Sequence, residues 1–168
     1  LKSRIGISDR AVLIFGRLAK EKNLDYALEI FKKVSDRRTG AALVIVGDGP
    51  YRRALEERAR DLGIAEKTYF MGRLSGDPLV ATINACDVML TTSLSEAQPM
   101  TILQANICGV PVVGARAAGT PECIEDGVTG FLVNPDDTDM FVENVSRLLS
   151  DDSRSKKMGV AAHERVAA

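Results

Sequence analysis

The sequence lacks a charge excess of either sign. In 168 residues, 22 Lys+Arg stand against 23 Asp+Glu, a formal net charge of −1. A general nucleic-acid binder shows a strong basic excess, so that class is set aside. Cysteine is scarce: Cys86, Cys108 and Cys123 are scattered, odd in number and without C-x-x-C spacing. That excludes a disulfide scaffold and speaks for reduced, buried thiols of a cytoplasmic protein rather than for redox or metal chemistry. No apolar run approaches the roughly 18–20 residues a membrane span needs, and no basic-then-apolar signal peptide opens the chain. Histidine occurs once, as His163 in a polar tail with no visible partner, and reads as a surface residue. What is present is 45% apolar and 27% charged, an ordinary globular composition that excludes disorder and collagen-like repeats. The length suits one domain burying about two thirds of its unfolded surface. The chain begins at Leu1 without methionine, so the expectation is a fragment or processed piece.

Two apolar periods alternate along the chain. Short, near-continuous runs at Ala11–Phe15, Ala42–Val46, Thr68–Met71, Val88–Thr92, Val110–Gly114 and Gly130–Val133 suit parallel strands covered on both faces. Between them, Leu24, Ala27, Leu28 and Phe31 fall at helical spacing, as do Leu55, Ala59 and Leu62, then Met100, Leu103 and Ile107, then Phe141, Val145 and Leu148. Asp137 or Thr138 is placed to cap the last of these, and Asp151–Ala168 reads as a further amphipathic helix. Residues 1–10 are polar and unpatterned and read as a linker or residual segment, leaving residues 11–168 as the domain. The alternation predicts an α/β fold: a Rossmann-like three-layer α/β/α domain on a parallel sheet of about six strands. Open sheets of this kind place ligands beyond the carboxyl ends of their strands. The loops to examine are therefore Gly16–Lys22, Gly47–Pro50, Gly72–Asp77, Ser93–Pro99 and Ala115–Thr120.

In the first of these loops, Gly16 lets the chain turn, and Arg17 and Lys22 can lean over the sheet. A diphosphate there would gain charge-assisted hydrogen bonds of about 1.5–3 kcal/mol each. Val46-Gly47-Asp48-Gly49-Pro50 has neither the Gly-Lys-Ser/Thr of a phosphate loop nor a G-x-G-x-x-G fingerprint, and reads as a structural turn. The most informative stretch runs from Thr92 to Val113. A strand ends near Thr92, a loop carries Glu96, and a helix starts near Pro99, where a missing amide hydrogen costs nothing. The free N–H groups and positive end of that helix would face the same crevice as Arg17 and Lys22. Gln104, about one turn in, could reach a ligand lying across the helix start. Together these residues describe an anion site ringed by polar groups that suit sugar hydroxyls.

Three features carry less. Asp137-Thr138-Asp139 matches an Asp-x-Asp metal pattern but precedes a helix, where capping explains it; no metal site is expected. The pairs Arg52-Arg53 and Lys156-Lys157 read as solvated helix faces rather than lipid contacts. His163, in the polar tail helix, reads as surface filling.

The ordered set Gly16-Arg17…Glu21-Lys22, Val46-Gly47-Asp48-Gly49-Pro50, Phe70-Met71-Gly72-Arg73, Ser95-Glu96, Ala105…Cys108-Gly109-Val110-Pro111-Val112-Val113 and Gly119-Thr120-Pro121-Glu122…Asp126-Gly127-Val128-Thr129-Gly130-Phe131-Leu132-Val133 resembles the glycosyl transferases group 1 family. This is the retaining GT-B family numbered 4 in sequence classifications. The resemblance covers about Ala11 to Val166 and only the family's C-terminal, donor-binding domain, one half of a GT-B enzyme. It implies that a UDP-, GDP- or ADP-sugar donor binds here, with no further cofactor. Arg17 and Lys22 would hold the diphosphate, with Gly16 at the turn. Gly72 and Arg73 would lie near the base, and Glu96 on the sugar hydroxyls. The backbone of Ala97, Gln98, Pro99 and Met100 would support sugar or phosphate, and residue 104 would reach the ribose. Transfer would proceed with retention and without a metal. The acceptor, a sugar or lipid, would bind the missing N-terminal domain, and the whole enzyme would work in the cytoplasm or peripherally at the cytoplasmic face of a membrane. No nucleic-acid partner is implied.

Two departures stand out. The family's loop motif has glutamate at both ends, and here the second is Gln104, an amide with one acceptor oxygen and two donors. Ala97 replaces the usual glycine after the first glutamate, and Gln98-Pro99 stand where an aromatic and a second glycine are common. Alongside the transferase reading stand a degenerate module with a binding or assembly role, and a phosphorylase- or synthase-like relative.

Overall fold

The structure, a computed structural model, describes residues 9–95 and 99–168. Six strands form one parallel sheet: β1 (Ala11–Phe15), β2 (Ala42–Val46), β3 (Thr68–Gly72), β4 (Val88–Thr91), β5 (Val112–Ala115) and β6 (Gly130–Val133). Helices α1 (Leu24–Arg37), α2 (Arg52–Asp61), α3 (Gly76–Asn84), α4 (Met100–Ile107), α5 (Thr120–Cys123), α6 (Thr138–Ser150) and α7 (Asp152–Ala167) connect and cover it. The sheet order is β3-β2-β1-β4-β5-β6, the Rossmann arrangement, whose order reverses between β1 and β4.

The continuous apolar runs of the sequence follow from cover on both faces. Along β1 and β2, Val12, Ile14, Leu43 and Ile45 join one core with Phe31 of α1, Leu55 of α2 and Phe141 of α6. Ala11, Leu13, Ala42 and Val44 turn the other way, toward Leu79 and Ile83 of α3 and Ile102 of α4. Each strand residue therefore meets apolar cover whichever way it points. The α6 helix is capped by Asp137, whose Oδ1 accepts from Met140 N at 3.0 Å, and Thr138 Oγ1 pairs with Tyr26 Oη at 2.9 Å. The Asp-x-Asp segment thus has structural work at a helix start.

The strand expected at Val110–Gly114 begins two residues later. Val110 N bonds back to Ala105 O and Gly109 N to Asn106 O, both at 2.9 Å, so these residues close α4 before β5 can start. Helix α3 was not legible as a helix because it opens Gly76-Asp77-Pro78, which has the composition of a loop. Proline in a first turn loses no helical hydrogen bond, and Leu79, Thr82 and Ile83 are buried behind it. His163 has a partner after all: its Nδ1 lies 2.6 Å from Ile107 O at the end of α4. Nearby, α7 crosses α4 so closely that a Cβ on Gly159 would sit 1.9 Å from Gly109 O.

At the amino ends of the strands, Arg10 bridges Asp87 at 2.8 Å and Asp152 at 2.9 Å, and Asp87 Oδ2 also accepts from Ala11 N at 2.8 Å. This cluster ties the entry to β1, the entry to β4 and the start of α7 together on the side away from the loops of interest. Cys86 and Cys123 are buried and Cys108 is half-buried, and Cys86 Sγ donates to Thr82 O at 3.3 Å. Burial raises the Cys108 and Cys123 thiols above their ordinary range. No helix among the described residues is long and apolar enough to cross a membrane.

Candidate functional site

Parallel strands send all their following loops to one edge, and neighbouring loops diverge where the strand order reverses. Here those are the β1 and β4 loops. A small recess between them is lined by Phe15, Gly16, Arg17, Lys22 and Thr91 to Ser93, among others. The two sides are tied together: Thr92 Oγ1 donates to Asn23 O at 2.8 Å, and Asn23 Nδ2 reaches Thr92 O at 3.4 Å. A three-residue 3₁₀ turn, Lys20–Lys22, shapes the β1 loop and ends on Asn23 in left-handed conformation (φ 54°), which asparagine tolerates better than most residues.

Helix α4 starts close by, although none of its residues lines the recess. Its first turn approaches Gly16, where an added Cβ would stand 3.8 Å from Thr101 Cγ2. Pro99 is buried at the cap, and its carbonyl accepts from Ile102 N at 2.9 Å. Met100, the first helical residue, is exposed. The amino end of α4, with its positive dipole end, therefore lies near Gly16.

A wider cleft of about 490 Å³ continues on the far side of Arg17, lined by Gly16, Gly47, Asp48, Gly49, Arg73 and Leu74, among others. Its floor depends on Gly47, whose N–H donates to Gly72 O at 2.8 Å and whose φ is +129°. A Cβ there would fall 1.8 Å from Gly16 O, so only glycine lets the two loops meet. Arg17 belongs to both spaces. Arg17 and Arg73 are exposed, and neither guanidinium makes an ion pair with another described residue. Lys22 is half-buried. Asp48 Oδ1 accepts from Gly49 N at 2.8 Å and is the acidic side chain in the cleft lining.

The structure thus brings Gly16, Arg17 and Lys22 to one recess, with Arg73 across the adjoining cleft and Pro99 and Met100 at the α4 start. Gly72 does not line the cleft but anchors it through its carbonyl. Gln104 is half-buried one turn along α4 and lines neither space. Glu96, Ala97 and Gln98 lie outside the described residues. Sequence reasoning did not single out Thr91, Thr92, Ser93 or Asp48. A signal existed for the first three, because apolar β4 gives way to Thr91-Thr92-Ser93 at its carboxyl end, where a ligand-facing strand turns polar. Among the described residues no group of three His, Cys, Asp or Glu could hold a metal ion.

Residues 2–165 match the family described as glycosyl transferases group 1. The GDP-mannose-dependent alpha-(1-6)-phosphatidylinositol monomannoside mannosyltransferase of Mycolicibacterium smegmatis is 34% identical over 96% of this chain and 44% of its own length. Sulfoquinovosyl transferase SQD2 of Arabidopsis thaliana is 37% identical over 92% of this chain and 29% of its own length. The chain therefore spans less than half the length of these relatives. Among solved structures, HepE of Anabaena in complex with UDP and glucose superposes with a TM-score of 0.88 at 24% identity, over 99% of this chain and 46% of that one. The C-terminal domain of the group 1 glycosyl transferase LpcC of Francisella tularensis superposes with a TM-score of 0.85 at 22% identity, over 98% of this chain and 88% of that domain. With the sheet order and loop placement described above, the fold is that of one half of a GT-B enzyme, and the chain belongs to the glycosyl transferases group 1 family.

Proposed function

We propose that this chain is the donor-binding half of a retaining glycosyltransferase and holds a nucleoside diphosphate sugar at the β1/β4 crevice. The observation that carries the reading is the meeting of Arg17 and Lys22 at one recess, with the amino end of α4 close to Gly16. A diphosphate is the group that two cations and a helix start jointly suit. Arg17 offers a planar fork and Lys22 a mobile point charge. As the bond to the anomeric carbon breaks, negative charge grows on the departing diphosphate, and these groups stabilise it without having to reorganise. The transfer would then need no resident metal, and Asp137 and Asp139 remain structural. The cleft beyond Arg17 has room for a base next to Arg73, and Glu96 is assigned to the donor sugar's hydroxyls.

One relative is named for a GDP-mannose donor and one structural neighbour was solved with UDP and glucose. These names support the nucleotide-sugar class without choosing a base. The acceptor, a glycan, lipid or small molecule, is assigned to the part of the enzyme beyond this chain, working in the cytoplasm or at the cytoplasmic face of a membrane.

Calorimetric titration of the chain with UDP, GDP and ADP tests the donor site: at least one binds, and Arg17→Ala weakens it. Failure of all three overturns the reading. Gln104 favours a second reading, a module that has lost activity. Gln104→Glu separates the two, because a working site changes its donor affinity and a relic binds nothing before or after. For the enzyme containing this chain, the anomeric configuration of the product by NMR tests retention, and activity in chelator tests metal independence.

A further inference from the structure

Buried hydroxyls almost always find partners, and an orphan is costly. Ser93, two residues past the end of β4, is 4% exposed, and its Oγ meets no partner among the described residues. The adjacent Thr92 is equally buried, yet its hydroxyl is spent on Asn23 O. Two other described side-chain atoms are buried without partners, Asn106 Oδ1 and Ser146 Oγ, but neither residue lines the crevice. Ser93 does: it borders the recess together with Gly16, Arg17 and Lys22. That recess has room for about 20 Å³, roughly one water-sized group. A phosphoryl oxygen is of the same size.

We propose that the Ser93 hydroxyl is a third ligand-binding group of this recess, donating a hydrogen bond to a phosphoryl oxygen of a nucleoside diphosphate held by Arg17 and Lys22. The inference rests on the donor-site reading above. Chemically the assignment is economical. The recess already carries two cations, and a third would repel them, whereas a neutral hydroxyl adds a donor without adding charge. An O–H donating to an anionic oxygen makes one of the stronger hydrogen bonds available to a neutral side chain. A bound diphosphate would complete the hydrogen bonding that Ser93 Oγ lacks among the described residues.

The test compares the wild-type chain with Ser93→Ala and Ser93→Cys, with Arg17→Ala as reference. Calorimetry measures affinity for UDP, GDP and ADP and for the matching nucleosides, and thermal midpoints are taken without ligand. Both Ser93 variants are expected to lose about tenfold in affinity for the tightest-binding diphosphate. Nucleoside affinity stays within about twofold, and the ligand-free midpoint of Ser93→Ala is unchanged or higher, since an orphan hydroxyl has been removed. Ser93→Cys keeps the connectivity of the side chain with a far weaker donor and carries the test if alanine impairs folding. The proposal is overturned if diphosphate affinity is unchanged while Arg17→Ala weakens it. In that case the recess holds water and the donor-site reading stands. It also fails if Ser93→Ala lowers the ligand-free midpoint and weakens nucleoside and diphosphate alike, which marks a structural hydroxyl. If the wild-type chain binds none of the three diphosphates, the donor-site reading fails and this inference with it.

Discussion

The Thr92 hydroxyl donates to the Asn23 carbonyl at 2.8 Å, joining the end of β4 to the residue where the β1 loop becomes α1. Sixty-nine residues separate the pair along the chain. The bond fixes the spacing of the two loops that supply the recess, and it holds Asn23 in the left-handed conformation from which α1 starts. Thr92→Val keeps the shape and deletes the donor. It is expected to cost about 1 kcal/mol of stability in urea denaturation with an unchanged m-value and to weaken diphosphate binding in the same calorimetric assay. An unaltered affinity would show that the loop spacing is set by other contacts.

Arg17 borders both the recess and the wider cleft, so its charge should count for any ligand that crosses between them. Arg17→Ala is expected to lower nucleoside diphosphate affinity by about tenfold or more, the worth of one charge-assisted contact. It should leave stability nearly unchanged, because the side chain is exposed. The salt dependence of binding should flatten as well, since less of the attraction is screened away. Titrations at two ionic strengths read both effects.

Gly47 is the position where the cleft least tolerates a side chain. Its φ is +129°, and an added Cβ would lie 1.8 Å from the Gly16 carbonyl oxygen. Backbone must move on one side or the other. Gly47→Ala is expected to destabilise the fold by at least ~1–3 kcal/mol from backbone strain alone, and to lose diphosphate binding disproportionately because Gly16 is displaced. Denaturation and titration of the same preparation separate the two effects.

The carboxylate of Asp152 is held below its ordinary value of 3.8, chiefly by the hydrogen bond from Lys156 and then by that from Arg10. Its folded pKa is depressed, so its contribution is fully present above the unfolded value and is lost as pH falls through the folded one. The group is solvent-accessible, so the effect is modest. Asp152→Asn should flatten the thermal midpoint's decline on acidification below about pH 4 and leave neutral-pH ligand binding alone, because this cluster lies at the opposite end of the sheet. A change in diphosphate affinity at pH 7 would show that the two ends are coupled.

How much of this was legible in advance depends on the range of the interaction. Ala11–Phe15, Ala42–Val46 and Gly130–Val133 were readable to the residue, because a strand covered on both faces must be apolar throughout. The Asp137 cap was readable because a side chain and an amide three residues on find each other locally. Helix α3 and the late start of β5 were not. In both, local composition pointed one way and burial or a helix-closing hydrogen bond decided the other. The orphan hydroxyl of Ser93 had no signature either, since being unpaired is a property of everything around an atom.

By itself, the order of residues determined the alternation of strands and helices, the parallel sheet, and the cations and helix start that lie on loops after strands. Those are consequences of periodicity, turn chemistry and chain direction, all of which act over a few residues. Only the tertiary structure decided that β1 and β4 are neighbours, that Arg17 serves two spaces at once, that Gly47 and Gly16 touch, and that Ser93 is sealed without a partner among the described residues. Such facts arise from segments tens of residues apart being pressed together, and hydrogen-bond satisfaction and close approach exist only once the chain has been folded around them.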